Sequence, residues 1–300
     1  MKAAVRREKG VFLMMDKQRG LTVFLTALCL SLVVLSGVLV LFTLTMRSTE
    51  ANQAQENVPA QTGYPDASQN LAVVLLGCQK ATTPPGVVLA LYYNAGEQKL
   101  TGVIIPPETT VSQNGRTDTV AGHYDYEGVR GGLNAVKELF QSDIQRYIRI
   151  DADGIASLTD FFGGVEWDVP DEAAKRQDIL PGRQLLDGRR YASFLFDSSQ
   201  GGRADTPVQA ELTGKLLEER MDQSLSRRVE KLTTAILQNG ETNLNRYDFV
   251  IRQSGMQALL ADGKLQTEVF ALTGTYDENG VFSPDAESLA QARRIFPQDR

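Results

Sequence analysis

The sequence predicts an α/β fold: one three-layer sandwich with a central mixed β-sheet flanked by helices, preceded by one transmembrane helix. Three observations carry this reading. An uncharged apolar run of 25 residues lies near the N-terminus, three short β-branched runs follow from Leu71, and helical patterns then alternate with further strands. At 42% hydrophobic and 23% charged the composition is that of a folded globular chain, so the layers have the apolar residues they need.

The apolar run is Leu21–Thr45, broken only by Ser, Thr and Gly. About 20 such residues cross a bilayer core as a helix. Lys2, Arg6, Arg7, Lys9, Lys17 and Arg19 precede it, and only Arg47 follows before Lys80. That asymmetry places the N-terminus in the cytoplasm and the rest outside, in the cell membrane as a single-pass protein. The run exceeds a cleaved signal's apolar core of about 7–15 residues, so it reads as a retained signal anchor. The organisation is then a basic cytoplasmic tail (1–20), the span (21–45), a linker (46–70) and an extracytoplasmic domain (71–300). Cys29 falls in the span and Cys78 in the domain, so the two do not pair. The linker, rich in Gln, Asn, Ala and Pro, buries too little surface to offset its ordering entropy.

In the domain, Leu71–Leu76, Val87–Tyr93 and Leu100–Ile105 are continuous apolar runs bounded by Gly, Pro or Asn. They read as central strands covered on both faces, with a hairpin turn at Asn94-Ala95-Gly96-Glu97. Gly128–Gly132 reads as a turn, and the helix Gly132–Phe140 places Leu133, Val136, Leu139 and Phe140 on one face. A strand at Tyr147–Asp151, a helix from Gly154 to Phe162 stopped by Gly163-Gly164, and an alternating strand Val165–Val169 follow. Leu185–Phe196 reads as helical. A broken helix runs from Pro207 to about Gln238, with Thr206 as N-cap and Gln209 in a capping box. A strand Glu268–Leu272, a turn at Asp277–Gly280 and a helix Pro284–Ile295 complete the pattern.

Residues 48–300 hold 24 Lys and Arg against 35 Asp and Glu, a net charge of −11. Such a surface excludes nucleic acid as a general partner. The single histidine, His123, reads as a loop residue, and no Cys-x-x-Cys is present. Asp151-Ala152-Asp153-Gly154 opens like a calcium loop, but Phe162 stands where that loop needs its acidic twelfth residue. Gly128–Gly132 lacks the Lys-Ser/Thr of a P-loop.

The order of these pieces resembles the LytR-CpsA-Psr family of cell-envelope proteins from about Leu71 to Phe296. The strongest match is Ile148–Val169, a strand, an Asp, a helix ending in Gly-Gly-Val and another strand. Gly182 and Leu186-Asp187-Gly188 match a Gly…Leu-x-Gly pattern. The resemblance implies a phosphotransferase that moves a glycopolymer from polyprenyl pyrophosphate to peptidoglycan. It also implies arginines on the phosphates and a divalent metal, Mg2+, held by carboxylates.

This chain departs from that pattern at its chemical positions. Gly77-Cys78-Gln79 stands for Gly-Ser-Asp, Pro84-Pro85-Gly86 for Arg-Ser-Asp, and Ile105-Pro106-Pro107-Glu108-Thr109 for Ile-Pro-Arg-Asp-Thr. Leu195-Phe196-Asp197 stands for Arg-x-Arg, and Val208 takes the second place of Arg-x-x-Arg-Gln beside Arg203 and Gln209. Loss of one phosphate-clamping arginine costs about 10³–10⁵ in rate in related chemistry. The expectation is therefore a catalytically degenerate domain that binds a polyprenyl-linked glycan or a wall-assembly protein. The candidate substitutes are Glu108 and Arg203 for catalysis, Arg116, Arg130, Arg203 and Gln209 for ligand binding, and Glu108 and Asp118 for a metal. An active phosphotransferase with a rebuilt site and a structural or regulatory ectodomain are the alternatives.

Overall fold

The computed structural model describes residues 65–197 and 203–298. The basic tail, the Leu21–Thr45 span, Cys29 and the linker up to residue 64 lie outside them. Among the described residues no helix is long and apolar enough to cross a membrane.

The first strands are β1 (Leu71–Cys78), β2 (Pro85–Asn94) and β3 (Lys99–Ile105). A hairpin of β4 (Thr110–Gln113) and β5 (Arg116–Thr119) leads to helices α1 (Val120–Glu127) and α2 (Val129–Phe140). Next come β6 (Arg146–Asp151), α3 (Ala152–Phe162), β7 (Val165–Val169), α4 (Asp171–Arg176), β8 (Gly182–Leu186) and α5 (Gly188–Leu195). After them lie α6 (Thr206–Arg220), α7 (Gln223–Ser226), α8 (Val229–Asn239), β9 (Gly240–Thr242) and α9 (Arg246–Ala261). The last elements are β10 (Gln266–Ala271), β11 (Gly274–Tyr276), β12 (Phe282–Pro284) and α10 (Ala286–Ile295).

Six strands form the main sheet in the order β10-β3-β2-β1-β6-β9. The pairs β1/β6 and β3/β10 are parallel, and β1/β2, β2/β3 and β6/β9 antiparallel. The sheet is mixed and flanked by helices, as the sequence predicts. Its three apolar runs take the middle, where both faces are covered. In β1, Val73 feeds one core while Val74 and Leu76 feed the other.

The first core packs Ile155 of α3, Trp167 of β7, Phe194 of α5 and Leu212 of α6 under the sheet, with the Trp167 and Phe194 rings edge-on at 5.0 Å. The second packs Leu133, Val136, Leu139 and Phe140 of α2 with Phe282 and Phe296; Phe140 and Phe296 stack at 5.0 Å. The helical face read from the sequence is thus the buried face of α2.

Several local readings are corrected. α2 begins at Val129, so Gly131 and Gly132 lie inside the helix rather than in a turn. They are small because α1 crosses there: a Cβ on Gly131 would sit 2.0 Å from the His123 carbonyl oxygen. His123 is not a loop residue. It lies in α1, is 3% exposed, and its Nε2 is 2.9 Å from the Val111 carbonyl oxygen. Leu185 and Leu186 pair with β7 in a separate two-stranded ribbon, so the helix starts at Gly188. Asp205, not Thr206, caps α6. The β9 strand, α9 and the β4/β5 hairpin were not anticipated.

Order also begins ahead of Leu71. Ala67–Gln69 form a 3₁₀ turn, and Arg252 of α9 donates to the carbonyls of Gln69 at 2.7 Å and Asn70 at 2.8 Å.

Tyr93 of β2 yields a stability prediction. It is 4% exposed and its hydroxyl has no hydrogen-bond partner. Burial pushes the phenol up to about 12 from an ordinary value near 10. The neutral phenol therefore contributes stability that is complete below pH 10 and is lost between pH 10 and 12, on the order of 2–3 kcal/mol. Tyr93→Phe is expected to gain about 1 kcal/mol at pH 8 by removing an unsatisfied hydroxyl. It should also flatten the alkaline loss. Denaturant titrations at pH 8 and pH 11.5 check both effects.

Candidate functional site

Strands β1, β3, β6 and β10 point the same way, so their carboxyl ends share one rim with the amino end of β2. Ligands of open α/β sheets bind at such rims. The rim residues are Cys78 at the end of β1 and Gln79 after it, Gly86 in β2, Glu108 after β3, and Arg149 and Asp151 towards the end of β6.

Cys78 is fully buried, with Sγ 3.8 Å from the Tyr124 hydroxyl of α1. Burial pushes the thiol up, so it stays protonated and packs as a small apolar group. Tyr124 in turn accepts a 2.9 Å hydrogen bond from Arg149 Nε. Arg149 also donates to the Ala81 carbonyl and lies 3.6 Å from Glu241. Asp151 is occupied in capping α3, accepting from the Gly154 amide at 3.0 Å.

A second guanidinium bridges two segments. Arg176, at the end of α4, donates through Nε to Asp197 at 2.5 Å and through a terminal nitrogen to Asp205 at 3.0 Å. One planar fork thereby joins the end of α5 to the cap of α6. Arg203 lies over the Tyr276 ring, 4.4 Å from its centre. Burial first, then the charge of Glu108, pushes the Tyr276 phenol up, with Arg203 opposing. The charges of Glu108 and Arg203 thus act on Tyr276 in opposite directions. Glu108 Oε2 is buried there without a hydrogen-bond partner.

Gln209 is 1% exposed. Its amide nitrogen donates to the Gly86 carbonyl at 3.0 Å and to the Leu195 carbonyl at 2.8 Å. It ties β2 to α5 and is not part of a capping box. Above Gly86 lies the Phe196 ring, 3.2 Å from where a Cβ would stand. Beside these residues, α3 and α5 open a cleft of about 630 Å³, lined among others by Gln79, Asp153, Ser157, Ser193, Phe196 and Asp197.

The LytR_cpsA_psr family pattern matches residues 38–295. The chain belongs to the LytR-CpsA-Psr family. Similar proteins include the polyisoprenyl-teichoic acid–peptidoglycan teichoic acid transferase TagV of Bacillus subtilis, 21% identical over 212 residues, which are 65% of this chain and 54% of that protein. Biofilm regulatory protein A of Streptococcus mutans is 21% identical over 147 residues, 45% of this chain and 36% of that protein. This chain thus spans about half the length, or less, of these two relatives. Among solved structures, B. subtilis TagT superposes with a TM-score of 0.59 at 18% identity, covering 78% of this chain and 92% of that one. A transcription regulator from Eubacterium siraeum superposes at 0.67 and 16% identity, covering 79% and 95%. These structures share the fold.

The remaining candidates do not join the rim cluster. Arg116 and Asp118 form an ion pair with each other on β5, and Arg116 stacks 4.3 Å over Tyr126. The hydrogen bond from Arg116 holds the Asp118 carboxyl below its usual range. Arg130 has a side chain 77% exposed and reaches only Glu127, at 3.9 Å. Of the two carboxylates expected for the Mg2+ that LytR-CpsA-Psr membership implies, Glu108 keeps an Oε2 without a hydrogen-bond partner and Asp118 is held in an ion pair. Among the described residues no three Asp, Glu, His or Cys side chains converge on one point. The first strand ends on a buried thiol and an amide, and Asp118 is engaged by Arg116. Sequence reasoning missed Tyr124, Arg149, Arg176, Asp197 and Asp205 as a group. The one legible signal was Arg149, a charge near the end of the strand Tyr147–Asp151.

Proposed function

We propose that this chain is a membrane-anchored, extracytoplasmic LytR-CpsA-Psr protein that binds polyprenyl-linked wall glycopolymer, or proteins assembling it, without phosphotransfer. The observation that carries this reading is the engagement of Arg149, Arg176 and Arg203 by the protein's own groups. A pyrophosphate clamp needs guanidinium forks open to the phosphate oxygens. To serve as one, Arg176 would abandon two carboxylates and Arg149 a phenol, a carbonyl and Glu241. The substitutions at Cys78-Gln79, Pro84–Gly86 and Pro107 remove the remaining family groups from the same rim.

Binding is supported by the cleft between α3 and α5, whose amides, hydroxyls, carboxylates, Arg189 guanidinium and one aromatic ring suit a hydroxyl-rich glycan. Membrane anchoring rests on the uncharged Leu21–Thr45 run and its basic N-terminal flank. The wall context rests on family membership and on the teichoic acid transferase among its relatives.

Calorimetric titration of the full-length chain in detergent micelles with a short-chain polyprenyl pyrophosphate carrying a glycan unit tests the reading. The same heat is expected with magnesium and with chelator. Absence of binding in both would remove lipid-linked glycan as the ligand, and magnesium-dependent binding would favour an enzyme.

A further inference from the structure

The chain enters the domain through Pro65–Asn70, ahead of the first strand pair, Leu71 with Tyr93. Two residues on one face of α9 hold this segment. Arg252 donates through Nε to the Gln69 carbonyl at 2.7 Å and through a terminal nitrogen to the Asn70 carbonyl at 2.8 Å. Its other terminal nitrogen donates to the Asp248 carbonyl, one turn back along α9, at 2.5 Å. Three residues on, Gly255 seats the start of the segment. A Cβ there would lie 2.8 Å from Pro65 Cβ and 2.7 Å from Gln69 Oε1. Glycine is unfavourable inside a helix, and here its bareness makes room for the proline ring. Pro65 and Gln69 are both buried.

The helix that holds the segment is itself fixed. Asp248, in the capping box of α9, lies 3.1 Å from Arg146 of β6, and Leu259 packs with Tyr93 and Ala95.

Asn70 is held differently from the residues before it. Its Nδ2 donates to the Tyr92 hydroxyl at 2.9 Å and its Oδ1 accepts from the Ala95 amide at 2.8 Å. Its side chain therefore pins the start of β1 to β2 and to the turn that follows. Upstream of it the backbone bonds are local: the Gln69 amide donates to the Asp66 carbonyl at 3.0 Å and the Asn70 amide to the Ala67 carbonyl at 3.2 Å. The Ser68 amide donates to Asp66 Oδ1 at 2.8 Å. A single turn of this kind is not stable alone in water, so these three amides report whether α9 holds it.

We propose that Pro65–Gln69 is a releasable strap, closed on α9 by Arg252 and Gly255 and hinged at Asn70. It opens as a unit of its own while the sheet stays folded. Closed, it makes the upstream chain leave the domain over α9. Open, it adds five residues, about 17 Å when extended, to the reach of the chain ahead of the domain. The strap concerns contacts among the described residues only, so it does not depend on the membrane anchoring or the ligand proposed above.

The test is hydrogen exchange, resolved to single amides by mass spectrometry, on the full-length chain in micelles. The amides of Ser68, Gln69 and Asn70 are expected to be protected, yet to exchange before those of Val73–Leu76 in β1. Arg252→Gln, which removes the donors to two carbonyls, should speed exchange of the three strap amides about tenfold or more. Gly255→Ala should act in the same direction by displacing Pro65, and because alanine favours the helix, the effect cannot come from a weakened α9. In both variants the Ala95 amide, held by the hinge, and the β1 amides should exchange as before. Melting curves confirm folding, and Gly255→Ala decides alone if Arg252→Gln does not fold. Exchange of the strap amides at free-peptide rates in the unaltered chain overturns the proposal. So does a folded variant that leaves them unchanged, or one in which β1 loses protection together with them.

Discussion

Gly188→Ala is expected to destabilise the domain by about 3 kcal/mol or more. Gly188 opens α5 where that helix crosses α3. A Cβ there would sit 1.9 Å from the Ala156 carbonyl oxygen and 2.9 Å from the Ala156 Cα, all backbone. No rotamer change relieves that overlap, so one helix must move. The local hydrogen bonds resist movement: the Gly188 amide donates to Asp160 at 2.7 Å and Asp187 caps the helix through the Arg190 amide at 2.9 Å. Because α3 and α5 form the walls of the cleft, the same change should weaken glycan binding there. Gly214→Ala is the control. It lies inside α6 with nothing closer than Val269 Cβ at 3.7 Å, so alanine should be neutral or stabilising by about 0.5–1 kcal/mol. Equilibrium denaturation separates the two, and a Gly188→Ala loss below 1 kcal/mol would contradict the packing described.

Arg176→Gln should cost about 2–3 kcal/mol. The guanidinium is the shared partner of Asp197 and Asp205, whose side chains are only 12% and 18% exposed. Removing it leaves two carboxylates facing each other in poorly hydrated surroundings. The figure stays below that of a fully buried pair because Arg176 itself is 28% exposed. Arg176→Lys should recover only part of the loss, since a compact ammonium cannot span two carboxylates as the planar fork does. Full recovery by lysine would show that charge alone, without the fork, holds α4, α5 and α6 together.

The central strands were legible because burial on both faces demands continuous apolar runs, and LAVVLL, VVLALYY and LTGVII have no other economical use. The alternating VEWDV reads equally as a sheet edge or a separate ribbon, and only the pairing with Gly182–Leu186 decides between them. Helix α9 escaped because its apolar residues spread around the helix. Its readable mark was the capping box of Asn245 and Asp248, which the sequence reading passed over. At the rim, the substitutions at Cys78, Gln79 and Pro107 were visible in the sequence, but the fate of the surviving arginines was not. Arg176 finds its partners 21 and 29 residues away, and Arg149 finds Tyr124 across 25 residues. Such contacts depend on the sandwich being assembled. On the β4/β5 hairpin Arg116 and Asp118 pair with each other, which the spacing of two residues along one strand allows.

The most direct test of the central claim is a transfer assay. The full-length chain would be incubated with a glycopolymer on labelled polyprenyl pyrophosphate, a peptidoglycan acceptor and magnesium, and release of labelled polyprenyl phosphate followed. Transfer breaks the pyrophosphate bridge and forms a new phosphodiester on the acceptor, so each turnover frees one lipid monophosphate. The engagement of Arg149, Arg176 and Arg203 predicts no release above that of a protein-free control. Magnesium-dependent release that rises with protein concentration would contradict it, and would mean that these guanidiniums exchange their protein partners for phosphate when the substrate arrives.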